Sequence, residues 1–423
     1  MNLGKIKITV PQILLGCLVV FIVIIESKKS GDFKVFTEAA KLLKDHQNIY
    51  DQWLNNKSCK YYYSPLFALL LIPFVTFPDF IVNFLWLSAN VFFFARIWKL
   101  TYSYFDFSAF NKKEKRIYVL ITLALTIRFL LHNFENVQMT VYILWSILES
   151  LNLFTQKKYI SGAFIFALAM NIKILPIVFL PYLLFRKKTV PFLWIVLFTG
   201  IFLYAPALLL GVGFNNFLLV EWGKALNPSN IEHSFIDDIG GQSLTTFLPT
   251  LLMQTAGEVP FKRNIANLDL NTVNFIISVA RLLFVGFTLY FTGLTFYKNA
   301  KSKLHAYWEV SYLTLIIPII FSHQEKYAFF LIFPATAYIV YFLIKSRQNN
   351  WIYISKTKWI VLVSLLFLSF LLNTMSSDLF GGRSYEMVCD HYKSIAYGSF
   401  LLLIILSFCQ PYLFSKMEQE CSR

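Results

Sequence analysis

Residues 189–220 read TVPFLWIVLFTGIFLYAPALLLGVGFNNFLLV, 32 consecutive positions without an Asp, Glu, Lys or Arg. An α-helix rises 1.5 Å per residue, so about 20 apolar residues cross the hydrocarbon core of a bilayer. This run exceeds that length. Working outward, similar uncharged runs occupy residues 8–25, 61–78, 359–377 and 394–415. The composition agrees: of 423 residues, 57% are hydrophobic and 14% charged, with a mean hydropathy of +0.58. A soluble domain averages roughly 45–50% apolar and about 25% charged. An ordinary soluble enzyme is excluded, and the sequence reads as an all-α polytopic membrane protein.

The net charge is +15, but the excess sits beside the apolar runs, at residues 1–7, 186–188, 298–303, 345–347 and 358, which is positive-inside bias. No basic, aromatic-interleaved soluble module is present, so nucleic acid is not expected as a partner. By hydropathy the candidate spans are residues 8–26, 64–78, 80–98, 117–131, 137–154, 160–184, 190–211, 273–293, 309–322, 327–344, 354–373 and 394–413. That is about 12 transmembrane helices with both ends of the chain inside, the first an uncleaved span because no small-residue cleavage site precedes Glu26. Strict alternation puts Lys112-Lys113-Glu114-Lys115-Arg116 and Lys157-Lys158 outside, against the charge rule. The conflict disappears if residues 64–98 cross once and residues 160–184 form a bent, twice-crossing pair.

The organisation expected is one integral membrane domain, 1–423. Residues 8–211 form an N-terminal module with an outer loop at 27–63, residues 212–272 a large outer loop, and residues 273–423 the C-terminal helices. Of the five cysteines, Cys17 and Cys409 fall in spans. Cys59 and Cys389 fall in outer loops, either joined or as two separate thiols.

In the first outer loop, Phe33, Phe36, Ala40 and Leu43 recur at helical spacing opposite Lys34, Glu38, Lys41 and Lys44, the pattern of an amphipathic helix on a membrane surface. Asp32 stands at its start, either as an N-cap or as a base held at the water–lipid boundary. Tyr61-Tyr62-Tyr63 is either an aromatic belt or a platform for sugar and lipid. Arg128, Glu149, Lys173 and Arg281 are charges within spans, which cost about 2.5–3.5 kcal/mol each at the bilayer centre and usually face a cavity or a partner. Phosphate-loop, dinucleotide and zinc-protease motifs are absent, and His46, His132, His233, His305, His323 and His391 lack metal-ligand spacing.

Taken in order, these features resemble one family: Asp32 after the first span, Asn48-Ile49-Tyr50, Tyr61-Tyr62-Tyr63-Ser64-Pro65-Leu66, Gln138-Met139-Thr140, Asn171-Ile172-Lys173-Ile174-Leu175-Pro176, Gly241-Gln242-Ser243-Leu244 and Ser322-His323-Gln324-Glu325-Lys326-Tyr327. The chain resembles glycosyltransferase family 87, the polyprenyl-phosphate-mannose-dependent α-1,2-mannosyltransferase-like proteins of the GT-C superfamily. The resemblance implies a GT-C-type fold in a bacterial plasma membrane with the active site on the outer side. It also implies an inverting transfer of a hexose, mannose by that resemblance, from a polyprenyl-phosphate-linked donor to a glycan or glycolipid acceptor.

Carried onto this sequence, Asp32 is expected to be the general base. Lys173, Arg128, His323 and Lys326, in that order, are expected to hold the donor phosphate. Tyr62, Tyr63, Gln138, Gln242 and Gln324 are expected to line the sugar and acceptor cleft. No metal or other cofactor is expected, the lipid-linked sugar serving as co-substrate. The chain departs from its relatives at Val137, where they usually carry Gly, and at His323, where a Trp-x-His-His form is common.

The rival readings are a secondary transporter or lipid-linked sugar flippase, for which paired inverted halves are expected, and an O-antigen-type polymerase or ligase. The gathering of long loops and polar features on one face favours an enzyme over a transporter.

Overall fold

The computed structural model describes residues 10–29, 31–55, 59–227, 240–294, 296–322, 324–348, 354–374 and 382–411. Among these the regular structure is helical, apart from one isolated bridge between Leu54 and Cys59. The chain begins with α1 (Val10–Glu26) and α2 (Phe33–Lys44). α3 (Pro65–Leu71) starts at Ser64, whose Oγ accepts the Phe67 N–H while Pro65 presets φ for the first turn. α4 (Asp79–Tyr104) leads to α5 (Lys112–Glu135), which opens on a reciprocal Asn111–Glu114 capping box. There follow α6 (Thr140–Thr155), α7 (Tyr159–Ile172), α8 (Phe179–Phe185), α9 (Thr189–Tyr204), α10 (Ala207–Leu210), α11 (Val212–Leu226) and α12 (Leu244–Leu252). The remainder is α13 (Leu270–Thr292), α14 (Lys303–Ile320), a 3₁₀ stretch (Lys326–Ile332) running into α15 (Phe333–Gln348), then α16 (Lys356–Thr374), α17 (Gly382–His391) and α18 (Ser394–Phe408).

Six of these helical segments are long and apolar enough to cross a membrane, or seven if α17 and α18, bent by 61°, form one broken span. The twelve spans expected from hydropathy are not all present as single helices, and the reasons are local. Residues 64–78 make only α3 and a short 3₁₀ turn (Ile72–Phe74), so residues 64–98 contain one span-length helix, α4. Residues 160–184 break at Lys173. Pro176 has no N–H to give the Ile172 carbonyl, and its ring would strike that carbonyl. α7 therefore ends at Ile172, and Lys173 is extended at φ −142°, ψ 123°. The large loop 212–272 contains α11 and α12.

Basic segments gather at one end of the bundle. Lys303 reaches the Ser103 carbonyl, Gln348 bonds Glu114, and Arg186 bonds the Lys298 carbonyl. Since α6 and α7 meet at Lys157-Lys158, the single crossing at 64–98 and the break at Lys173 bring those lysines to this same end, as the charge rule asks. Buried pairs lock it: Glu309 accepts from Arg186 and Tyr182 and pairs with His305.

The axis is the segment Lys326–Gln348, 94% buried, whereas α13 and the segment Thr189–Leu210 are 17% buried and form an apolar rim. α2 differs from its expectation. Its apolar face does not lie on lipid but packs on α3, with Phe36 edge-on to Tyr63 and Phe67 at centroid distances of 4.5 and 5.3 Å. Cys59 and Cys389 are separate thiols.

Candidate active site

At the end opposite the basic loops, segments far apart in sequence meet. Asp32 begins α2 but does not cap it: its side chain makes no cap hydrogen bond. Its Oδ2 instead accepts from Gln138 Nε2 at 2.5 Å, and its N–H donates to the Asn136 carbonyl at 3.1 Å. Burial raises the Asp32 carboxyl above the ordinary carboxylate range, partly opposed by the Gln138 donation and the Lys173 charge.

A cavity of about 550 Å³ opens beside this pair. Apolar side chains (Ile174, Leu175, Leu226, Val285, Ile320, Phe321) form most of its wall, with Tyr62, Tyr63, Tyr327, Ser322 and Gln324 among them. Two cations enter it, Lys173 and Arg281, and among the described residues no Asp or Glu lines it. The Lys173 ammonium rests over the Tyr63 and Tyr327 rings, 5.8 and 5.4 Å from their centroids. Arg281 donates to the Ile320 carbonyl (2.8 Å) and to Ser322 Oγ (3.0 Å). Neither cation makes an ion pair among the described residues; Glu325 and Asp32 act on Lys173 from a distance, and Arg281 has only the carbonyl and the hydroxyl. Val285, one turn beyond Arg281, is 56% exposed on the apolar face of α13, so the cavity reaches the lipid-facing rim. Asp32 is not in the cavity wall but lies within electrostatic reach of Lys173.

The other expected phosphate ligands are placed differently. Lys326 is buried and paired with Glu386 and with Asp390, at 2.5 and 2.7 Å. Arg128 donates to the Asn373 carbonyl and approaches Glu386 at 3.9 Å. Carboxylates thus already neutralise these cations. His323 lies outside the described residues. Of the cleft residues, Tyr62, Tyr63 and Gln324 line the cavity. Gln242 is buried behind it, its N–H on the Gln324 carbonyl and its amide on Asp390. Gln138 is 1% exposed and serves Asp32. Glu149, a candidate buried charge, is held bidentately by Arg96 and belongs to the packing of α4 on α6.

Sequence reasoning named Arg281 as a charge within a span but gave it no role. Its one-turn spacing from Val285 is legible in the sequence; its convergence with Lys173 is not.

The family model for glycosyltransferase family 87 matches residues 61–369, nearly three-quarters of the chain. The chain belongs to glycosyltransferase family 87. It is therefore an enzyme that transfers sugars, built as a polytopic membrane protein, and the transporter reading is set aside. No curated protein matches it. As a family 87 member it carries the cavity residues from Tyr62 to Tyr327 within the matched range. Asp32 precedes that range and is tied to it through Gln138 and Asn136.

Proposed function

We propose that this family 87 enzyme transfers a hexose, mannose by the resemblance of its motifs, from a polyprenyl-phosphate-linked donor to a glycan or glycolipid acceptor at the outer face of a bacterial plasma membrane. The observation that carries the reading is the cavity itself: apolar walls reaching the rim, two cations in its lining, and a buried carboxylate, Asp32, within the field of Lys173. Apolar walls suit the prenyl chain, and Lys173 and Arg281 suit its phosphate. Charge-assisted donors in a water-poor site stabilise a leaving phosphate most as its negative charge grows.

In the proposed step Asp32 takes the proton of the acceptor hydroxyl. The oxygen attacks the anomeric carbon from the face opposite the phosphate as the anomeric C–O bond breaks, so the configuration inverts. The bond electrons leave with the polyprenyl phosphate, whose added charge falls between Lys173 and Arg281. Tyr62, Tyr63 and Gln324 border the sugar, and Gln242 supports Gln324 from behind. The chemistry uses no metal.

The test is incubation of membranes with radiolabelled polyprenyl-phosphate sugars, wild type beside Asp32→Asn. Losing a general base costs about 10²–10⁴-fold. Equal incorporation by both would remove Asp32 as base, and no incorporation from any such donor would overturn the donor class.

A further inference from the structure

The turn that follows α5 is built at a local cost, and the cost falls where it touches Asp32. The Val137 N–H donates to the Phe134 carbonyl and the Gln138 N–H to the Asn133 carbonyl, at 3.2 and 2.9 Å. These are the paired bonds of a Schellman ending, whose left-handed position is usually Gly. Here Val137 occupies it, at φ 50°. Helices α2, α6 and α8 end on left-handed His46, Lys157 and Lys187, none branched at Cβ. Val137 is branched, and such a residue at positive φ is an outlier, costing about 1–2 kcal/mol. Gln138 adds a second cost, since its Oε1 is buried with no hydrogen-bond partner in the structure. The reverse amide orientation would set that oxygen against the Asp32 carboxylate.

Both costs secure one contact. Asp32 is gripped twice from this turn, its N–H by the Asn136 carbonyl and its carboxylate by Gln138 Nε2. The approach is close because Gly31, at φ 49°, has no side chain: a Cβ there would stand 3.0 Å from the Asn136 carbonyl carbon and oxygen and from Val137 Cγ2. Trp86 Nε1 donates to the Gln138 carbonyl at 3.1 Å and fixes the turn from α4.

We propose that Gln138 is a positioning residue that aims and keeps ionised the base Asp32, and that it does not contact the sugar or acceptor. The inference rests on Asp32 being the base of the proposed transfer. Strain retained at a functional site is the expected signature of such a device. The groups around Asp32 are Lys173 from the end of α7, Tyr63 from the loop before α3 and Tyr327 from the 3₁₀ stretch, with Cys59 acting on both tyrosines and Glu325 acting on both tyrosines and on Lys173. Of these, Lys173 carries the charge that assists Gln138 in holding the carboxylate ionised.

The experiment is the pH dependence of transfer for wild type, Gln138→Leu and the near-isosteric Gln138→Glu, with Asp32→Asn as reference. In Gln138→Leu the carboxylate loses a donor, so its pKa rises further and the acid limb of kcat/KM moves up by about one pH unit, tenfold in ionised base on that limb. In Gln138→Glu two carboxylates share one proton, and the limb moves the same way. KM for donor and acceptor stays within twofold in both.

A raised KM with an unmoved acid limb would overturn the proposal and return Gln138 to the substrate cleft. Should Gln138→Leu not fold, the Glu variant decides alone. An active Asp32→Asn enzyme would instead fail the base assignment. A dead Asp32→Asn beside unaltered Gln138 variants would fail only this inference.

Discussion

Replacing Lys326 by Met separates two roles the residue could have. In the structure its ammonium lies between Glu386 and Asp390, with side-chain exposures of 11%, 29% and 9% respectively. Removing one partner of a buried ion pair costs about 3–5 kcal/mol, because it leaves a charge desolvated and uncompensated. Glu386 is exposed enough to regain water, so Asp390 sets most of the penalty and the lower figure, about 3 kcal/mol, applies. In a chain of 423 residues each kcal/mol moves the melting midpoint by about 2 °C at most, which gives a fall of about 6 °C. The double variant Lys326→Met/Asp390→Asn removes the stranded charge and recovers at least half of the loss. The assay is thermal unfolding in detergent beside transfer kinetics with the lipid donor. An unchanged midpoint with a tenfold higher donor KM would refute the reasoning and make Lys326 a phosphate ligand after all.

Other outcomes follow from the same geometry. Because burial raises the Asp32 pKa, the base is protonated over part of the range where a free carboxylate is ionised; transfer rates measured against pH should begin to fall, on acidification, above the usual carboxylate range. The same raised value means that ionised Asp32 costs stability at every pH above its folded pKa, so Asp32→Asn should melt no lower than wild type while losing transfer; a lower midpoint would contradict the burial argument. Lys173→Met and Arg281→Met should each raise donor KM by tenfold or more, about 1.4 kcal/mol per decade, and leave acceptor KM unchanged; an effect on acceptor KM alone would empty the cavity of its donor. Val137→Gly relieves about 1–2 kcal/mol of strain but loses a fully buried side chain worth about 1.5–3 kcal/mol and adds about 0.5–1 kcal/mol of backbone entropy cost, so the variant should be less stable by about 1 kcal/mol. A gain in the unfolding midpoint would show the strain to be larger than the packing.

What the sequence makes legible is local. The uncharged runs locate the apolar helices, Pro176 announces the break at Lys173, Ser64-Pro65 the start of α3, and the amphipathic pattern of α2 its buried stripe. Hydropathy misjudges what depends on neighbours. The α2 stripe has the composition of a lipid-binding face, yet it packs on α3, and nothing in its own residues states which partner will cover it. Residues 64–78 and 160–184 are apolar enough for spans, but whether they form one helix, half a helix or two depends on breaks that an averaging window smooths over.

The site is harder to read for a related reason: a cation's availability is set by partners that sequence does not place. Lys326 and Lys173 both stand beside apolar runs, and although the sequence ranks Lys173 first, it does not show which carboxylates will reach either one. Lys326 meets Glu386 and Asp390 from α17, a contact some sixty residues away, and its charge is already neutralised. Lys173 meets two tyrosine rings, which attract a cation without neutralising it, and Glu325 and Asp32 act on it only from beyond ion-pair distance. Arg281 emerges for the same reason, since its partners are a carbonyl and a hydroxyl rather than a carboxylate. The order of the candidates therefore follows from net charge after pairing rather than from residue type. By that measure a phosphate entering from the rim at Val285 meets Arg281 and Lys173, neither held in an ion pair, while Arg128 and Lys326 tie α5 and the 3₁₀ stretch to α17.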